Sequence, residues 1–368
     1  MKHIAVIGLG FGDEGKGRVV DWLCSQHPMR GDAVVIRFSG GPQAAHRVVL
    51  PNGIEHVFSH YGSGTLRGVP TVFTKDCLVN PIAMLNEFDI LKQKCETQPS
   101  LFVSPKCPVI TPYDIDWNRQ SKLRMNGTCG SGIFATIRRE KSGCHFLFED
   151  LYHGKNIIKM KLEQVAKFYD KEKKSLNIDK MFIDACEEMI DREAAFRNYG
   201  TKRQLHIYEG SQGLLLDQEY GFFPHVTPSN TGTKNISQFN PEIILVTRSY
   251  QTRHGNGPMS PIIPHKIKEN PNEKNTTNEF QGKFRKTILD LDLIKYAISK
   301  DEYIKHNSNK LFITCLDHVE EERRMFHHGK VFECADENHF WMKIHNEIGT
   351  KSVHTSYGPT SLDVNQRI

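Results

Sequence analysis

HIAVIGLGFGDEGKG, residues 3–17, decides how the rest of the chain is read. Its first half, His3 to Leu9, is an apolar run of the kind that forms a parallel strand buried on both faces. Its second half places Gly10, Gly15 and Lys16 at the spacing of a loop whose backbone N–H groups converge on phosphate. A tight strand-to-helix turn would use the glycines but would have no need of the lysine. Gly17 stands where a Walker loop has the Ser or Thr hydroxyl that holds magnesium. Asp13 instead puts a carboxylate inside the phosphate nest, which is unfavourable unless it binds metal or takes a proton. The loop reads as built for chemistry as well as for holding a nucleotide.

Working outward, apolar runs recur at Ala33 to Arg37, Thr71 to Thr74, Leu101 to Ser104, Leu205 to Tyr208, Ile243 to Val246 and Leu311 to Thr314. Helical patterns at Gly17 to Ser25, Pro81 to Lys94, Met160 to Tyr169 and Phe182 to Arg197 alternate with them. This predicts an α/β fold with a large, mostly parallel central sheet flanked by helices. A single domain over residues 1–368 is expected. The polar stretch Lys266 to Asn278 has no periodicity and is too long for a routine connection, so a mobile loop is expected around residues 266–286.

Composition narrows the function. The 368 residues are 38% hydrophobic and 25% charged, with a formal charge of +5. That is the profile of a soluble protein with an anionic small-molecule substrate. It lacks the concentrated basic face of a nucleic-acid binder, and Lys171-Glu172-Lys173-Lys174 reads as a solvated helix face. No run is apolar enough for a membrane and the chain enters its first strand at once, so no signal peptide and a cytoplasmic location are expected. Nine scattered cysteines without a Cys-x-x-Cys pair argue against a disulfide framework and a zinc site.

Further glycine-rich turns follow predicted strands, where ligands bind in sheets of this class. Arg37 to His46 (RFSGGPQAAH) ends in a histidine able to act as acid or electrophile. Asn126 to Gly132 (NGTCGSG) could bring amides to an anion. Glu209 to Gly213 (EGSQG), Thr314 to Asp317 (TCLD) and Ser356 to Pro359 (SYGP) complete the set. Taken together they suggest a nucleotide-binding cleft.

In order, these segments resemble the adenylosuccinate synthetase family. Gly12 to Gly17 match its G-D-E-G-K-G, and Gly40 to His46 approximate its G-G-x-N-A-G-H. Gly127 to Gly132 match G-T-T-G-x-G with Cys129 for Thr, and Glu209 to Gly213 match E-G-A-Q-G. Phe223 to Pro228 (FPHVTP) answer its Y-P-Y-V-T-S, and Tyr250 to Pro258 (YQTRHGNGP) its Y-S-T-R-V-G-A-G-P. The resemblance runs from residue 4 to about residue 359. It implies a ligase that joins L-aspartate to C6 of a 6-oxopurine nucleoside monophosphate, using a nucleoside triphosphate and Mg²⁺ through a 6-phosphoryl intermediate.

Carried over residue by residue, it implies that Asp13 takes the purine N1 proton and that His46 stabilises charge at O6. Gly12, Glu14, Gly15, Lys16 and Gly17 would hold phosphate. Asp13 and the Ala45 backbone carbonyl would meet the metal, with Gln43 and Arg47 beside them on the nucleotide. Gln212 would contact the purine nucleotide, and Thr128, Cys129 and Thr227 its phosphate end. Cys315, Asp317, Ser356 and Gly358 would meet the triphosphate nucleotide, and Gln281, Gly282, Lys283 and Arg285 the aspartate. Against the family pattern Gln43 replaces Asn, Ala45 replaces Gly, Lys283 replaces Arg and Cys315 replaces a lysine that packs on the guanine of GTP.

The end, Gly358 to Val364, resembles the phage-encoded branch, the 2-aminoadenylosuccinate synthetases. That implies dGMP as purine and ATP or dATP as donor, supplying 2-aminoadenine for DNA, in host cytoplasm if the chain is phage-encoded. IMP with GTP is the alternative, and a P-loop NTPase switch is the alternative of another class. The resemblance also implies a homodimer in which an arginine, Arg138 or Arg139, reaches the neighbour's nucleotide.

Overall fold

Ile4, Ala5, Val6 and Ile7 are all buried because β1 (Lys2–Gly8) runs through the middle of a nine-stranded sheet. The computed structural model describes residues 1–26, 32–120, 128–170, 176–191, 203–268 and 282–368. Gln281, most of the expected polar loop and the end of the Phe182 to Arg197 helix lie outside the described residues.

With elements numbered in chain order, β1 pairs in parallel with β7 (Leu205–Gly213) on one side and β8 (Glu242–Arg248) on the other. Beyond β7 come β2 (Ala33–Arg37), β5 (Thr71–Phe73) and β6 (Leu101–Val103). Beyond β8 come β11 (Ser308–Thr314), β14 (Ser352–Ser356) and β15 (Val364–Gln366). Only β15 runs antiparallel to its neighbour, closing one edge. Each apolar run read as a strand is one, and all six lie parallel in this sheet.

The period of two explains why both faces are covered. Ala5 and Ile7 join a core with Leu291, Ile294 and Phe340, from α7 (Leu291–Lys300) and α9 (Glu337–Ile348). Ile4 and Val6 join Val19, Val20 and Leu23 of α1 (Lys16–Ser25) on the other face. A third core gathers Phe88 of α2 (Pro81–Lys92), Ile158 of α5 (Lys155–Phe168) and Phe182 of α6 (Leu176–Asp191). The start of α2 is set locally: Pro81 occupies the first turn and the Asn80 side chain accepts from the Ala83 N–H.

The structure departs from the sequence reading in three places. Glu209 to Gly213, read as a turn after a strand, continues β7. His46, read in a loop, begins β3 (His46–Val49), which pairs with β4 (Glu55–Phe58) in a hairpin. A second sheet joins β9 (Tyr250–His254), β10 (Phe284–Asp290), β12 (Arg324–His327) and β13 (Lys330–Glu333). These are short or polar strands whose pattern is weak in the sequence.

Candidate active site

The loop after β1 turns sharply into α1. Gly12 and Gly15 adopt φ of 95° and 91°, and between them Asp13 holds φ of 63°, a left-handed conformation that a side chain adopts at a cost. Glu14 braces this turn from inside. Its Oε1 accepts from the Gly10 and Gly12 N–H groups at 3.0 and 2.9 Å, and its Oε2 from Lys16 Nζ at 2.6 Å. The Glu14 carboxylate therefore faces inward and occupies the Lys16 ammonium, so both side chains are buried within the loop. Close packing enforces this: a Cβ on Gly213 would lie 2.1 Å from the Gly10 carbonyl oxygen and 2.2 Å from Glu14 Oε1.

The loop forms one wall of a cleft of about 930 Å³, at the upper end of the usual range for ligand pockets. Gly12 through Gly17 lie on it, as do Gln43, Ala45, His46 and Arg47 from the start of the hairpin. Thr128 and Cys129 line it beside α4 (Ile133–Lys141), with Gln212 at the end of β7 and Thr227 in the following loop. Cys315, Asp317 and Gly358, expected to meet the triphosphate nucleotide, also line it. Ser356 is fully buried behind that wall and accepts from Arg18 Nη1 at 2.6 Å. Gly282 and Lys283 are not on the cleft surface, and Arg285 approaches it indirectly, donating to the Gly257 carbonyl at 2.6 Å.

His46 is rigidly held. Its Nδ1 is 2.5 Å from Glu209 Oε1, and Glu209 also accepts from the Ser63 N–H at 3.1 Å and from the Ser63 hydroxyl. Burial would raise the Glu209 carboxyl, but His46, Arg37 and Ser63 together hold it at about 2. Burial pushes the His46 imidazole below the usual histidine value; Glu209 opposes this, while Arg37 and Lys16 add to it. With Nδ1 committed to Glu209, Nε2 is the working atom. It lies 3.3 Å from the Ser211 carbonyl, which can accept from it only while both ring nitrogens carry a proton.

Asp13 is held more lightly. Its Oδ2 lies 3.4 Å from His254 Nε2, and the side chain keeps about a fifth of its surface exposed. Burial would raise its carboxyl, but the hydrogen bond from His254 and the charges of Arg248, His254 and Lys16 hold it below the ordinary value. Arg248 donates from Nε to the Asp13 carbonyl and from Nη1 to the Tyr250 hydroxyl at 2.7 Å. Asp13 and the exposed Ala45 offer hard oxygen to the cleft. Among the described residues there is no group of three His, Cys, Asp or Glu side chains suited to a metal. Mg²⁺ commonly takes one or two protein oxygens and completes its shell from phosphates and water, so Asp13 and the Ala45 carbonyl are the groups that could hold it.

Glu209, Arg248 and His254 went unassigned in the sequence reading. A carboxylate directly after the buried run Leu205 to Tyr208 was the available signal for Glu209. For His254 it was a ring where the family motif has Val. Arg139 is fully buried and bound to Asp114, Cys144 and Val109 of its own chain, so it cannot reach a neighbour. Arg138 is exposed, its guanidinium 4.7 Å from the Trp117 ring centre. All nine cysteines are free, and no helix among the described residues is long and apolar enough to cross a membrane.

A family model described as adenylosuccinate synthetase matches residues 5–325. The adenylosuccinate synthetase of Borrelia duttonii is 29% identical over 342 residues, covering 86% of this chain and 77% of that protein. That of Ectopseudomonas mendocina is 32% identical over 285 residues, covering 70% and 64%. Among solved structures, the fully ligated adenylosuccinate synthetase from Plasmodium falciparum matches with a TM-score of 0.80 at 17% identity, over the whole of both chains. The succinoaminodeoxyadenylate synthetase of cyanophage S-2L, bound to dGMP and to dATP as an energy donor, matches with a TM-score of 0.65 at 15% identity. It covers 100% of this chain and 95% of that one. At these identities the two structural likenesses speak to the fold.

Proposed function

The chain belongs to the adenylosuccinate synthetase family, and we propose that it joins L-aspartate to C6 of dGMP with ATP or dATP as phosphoryl donor. It is an enzyme of purine nucleotide metabolism that forms a carbon–nitrogen bond. The product would be 2-amino-2'-deoxy-N6-succinyladenylate, a precursor of 2-aminoadenine in DNA.

Asp13 accepts the purine N1 proton, so that negative charge develops at O6. The γ-phosphoryl group moves to O6 as its bond to the β-phosphate oxygen breaks and the nucleoside diphosphate leaves, and His46, protonated at Nε2 once the anionic ligands are bound, steadies the charge on O6 while Glu209 fixes the ring. Phosphorylation turns a carbonyl oxygen into a good leaving group. The aspartate amine then attacks C6, the C6–N bond forms as the C6–O bond breaks, and inorganic phosphate departs. Such transfers depend on positioning and charge neutralisation more than on covalent help. Mg²⁺, where held by the Asp13 carboxylate and the Ala45 carbonyl, supplies neutralisation of the triphosphate charge.

One observation carries the choice of dGMP. Both polar atoms of the Gln43 amide are buried on the cleft wall without a hydrogen-bond partner among the described residues. Unpaired buried amides are costly, and a ligand is the natural source of the missing bonds. Gln43 stands where the family motif has the shorter Asn, and its amide supplies the acceptor that a 2-amino group requires. Cys315, where the motif has a base-packing lysine, supports a donor other than GTP. The second reading, IMP with GTP, is favoured by Asp317, whose carboxylate on the cleft wall could accept from guanine N1–H and N2–H.

Product formation followed by mass spectrometry tests both. IMP, GMP and dGMP are each supplied with L-aspartate, Mg²⁺ and ATP, dATP or GTP. Turnover of dGMP with ATP or dATP is expected; turnover of IMP with GTP alone would establish the second reading. We propose in addition that the active form is a homodimer with Arg138 at the neighbour's site. Activity should then fall on dilution to monomer, and an undiminished specific activity there would refute it.

A further inference from the structure

We infer that His254 is a specificity-determining residue for the purine, set beside Asp13 to recognise the substituent at purine C2. The inference rests on the activation chemistry just proposed, in which Asp13 faces N1 and His46 faces O6.

N1 of a purine is flanked by C6 and C2. His46 opens the hairpin, and its Cβ lies 3.0 Å from the position a Cβ on Gly17 would take. His254 ends β9 in the separate four-stranded sheet and meets the loop four residues earlier, at Asp13. With His46 at O6 and Asp13 at N1, a group bound to Asp13 from the sheet carrying β9 stands on the C2 side. Hypoxanthine has only a hydrogen there, whereas guanine has an amino group with two donors.

His254 has the chemistry for that amino group. Its Nε2 is 3.4 Å from Asp13 Oδ2, and it lines the cleft. Its Nδ1 is buried and has no hydrogen-bond partner among the described residues. When Nε2–H donates to Asp13, the same ring offers Nδ1 as an acceptor. The ring is also fixed: Phe284 lies directly across the antiparallel pair, with ring centres 4.8 Å apart and planes at 37°. The family motif has Val at this position, which can neither bond the carboxylate nor accept from an amino group. A site with a polar atom awaiting a substrate group rejects the analogue that lacks the group.

The test compares kcat/KM for dGMP and for IMP in wild-type enzyme, His254→Val and His254→Gln, with dGMP and IMP binding measured by calorimetry in parallel. His254→Val installs the residue of the family motif, which suits the fold. It should lower the dGMP-over-IMP ratio at least tenfold, with the loss falling on KM and on the dissociation constant for dGMP. His254→Gln, which keeps an amide donor and acceptor, should recover part of the ratio. A wild-type preference for dGMP that His254→Val leaves unchanged overturns this inference and spares the substrate reading. A wild-type enzyme that uses IMP alone overturns both.

Discussion

Two walls of the cleft, those carrying His46 and Asp13, are built to different standards. His46 is nearly enclosed, and Glu209 beneath it is tied by both polar groups of Ser63 and faces the Arg37 charge. Asp13 sits at the crest of a left-handed turn, with its carboxylate partly open and a single ring at 3.4 Å. The His46 side is pre-organised, whereas the Asp13 carboxylate has one ring as its side-chain partner, with the charges of Arg248 and Lys16 nearby. Transition-state charge needs fixed partners, while substrate choice changes with few atoms.

Asp13→Asn should have the largest effect, lowering kcat by about a thousandfold or more through loss of the base. A stopped assay of product formation would show it, and a loss below tenfold would mean that the lighter wall is not catalytic. Glu209→Gln comes next: His46 loses its anchor, and kcat should fall by about a hundredfold. The same variant has a signature in stability. The Glu209 carboxyl is depressed in the folded state to about 2 from 4.5, so its contribution is complete above the unfolded value and is lost as pH falls through the folded one. Urea unfolding at neutral pH and near pH 2 should show about 3 kcal/mol less acid-sensitivity in the variant than in the wild type.

Gly213→Ala probes the brace shared by the two walls. Its Cβ would collide with the Gly10 carbonyl and the Glu14 carboxylate, and a melting curve should report a loss of about 2–3 kcal/mol. An unshifted melting temperature would mean that the loop can move aside freely. Cys315→Lys should have the smallest effect, shifting the ATP-to-GTP preference by about fivefold towards GTP, within the 1 kcal/mol of an exposed cation–π contact. Competition between the two triphosphates at fixed dGMP would measure it.

Much of the parallel sheet was legible because its strands are buried on both faces and leave continuous apolar runs, as at Val34 to Ile36 or Leu311 to Ile313. The sharp turn after β1 was legible because its glycines are dictated by backbone geometry, as Gly12 and Gly15 show. The hairpin that begins at His46 was not, since a four-residue strand with one face only half-buried has too little pattern. Nor was the partnership of Glu209 with His46, which joins residues 163 positions apart. The inward turn of Glu14 was also hidden. Spacing identifies a phosphate loop but does not say which of its side chains fill it.

The central place of β1 bears on how the protein is made. Its two hydrogen-bonded neighbours, β7 and β8, lie about two hundred residues downstream, ending at Gly213 and Arg248. During synthesis β1 must therefore wait, with its backbone edges unpaired, until more than two hundred further residues have followed it. Contacts this distant make for slow folding and a long exposure to aggregation. Recovery of active enzyme from heterologous expression should accordingly respond to growth temperature and chaperone supply more strongly than its equilibrium stability would suggest.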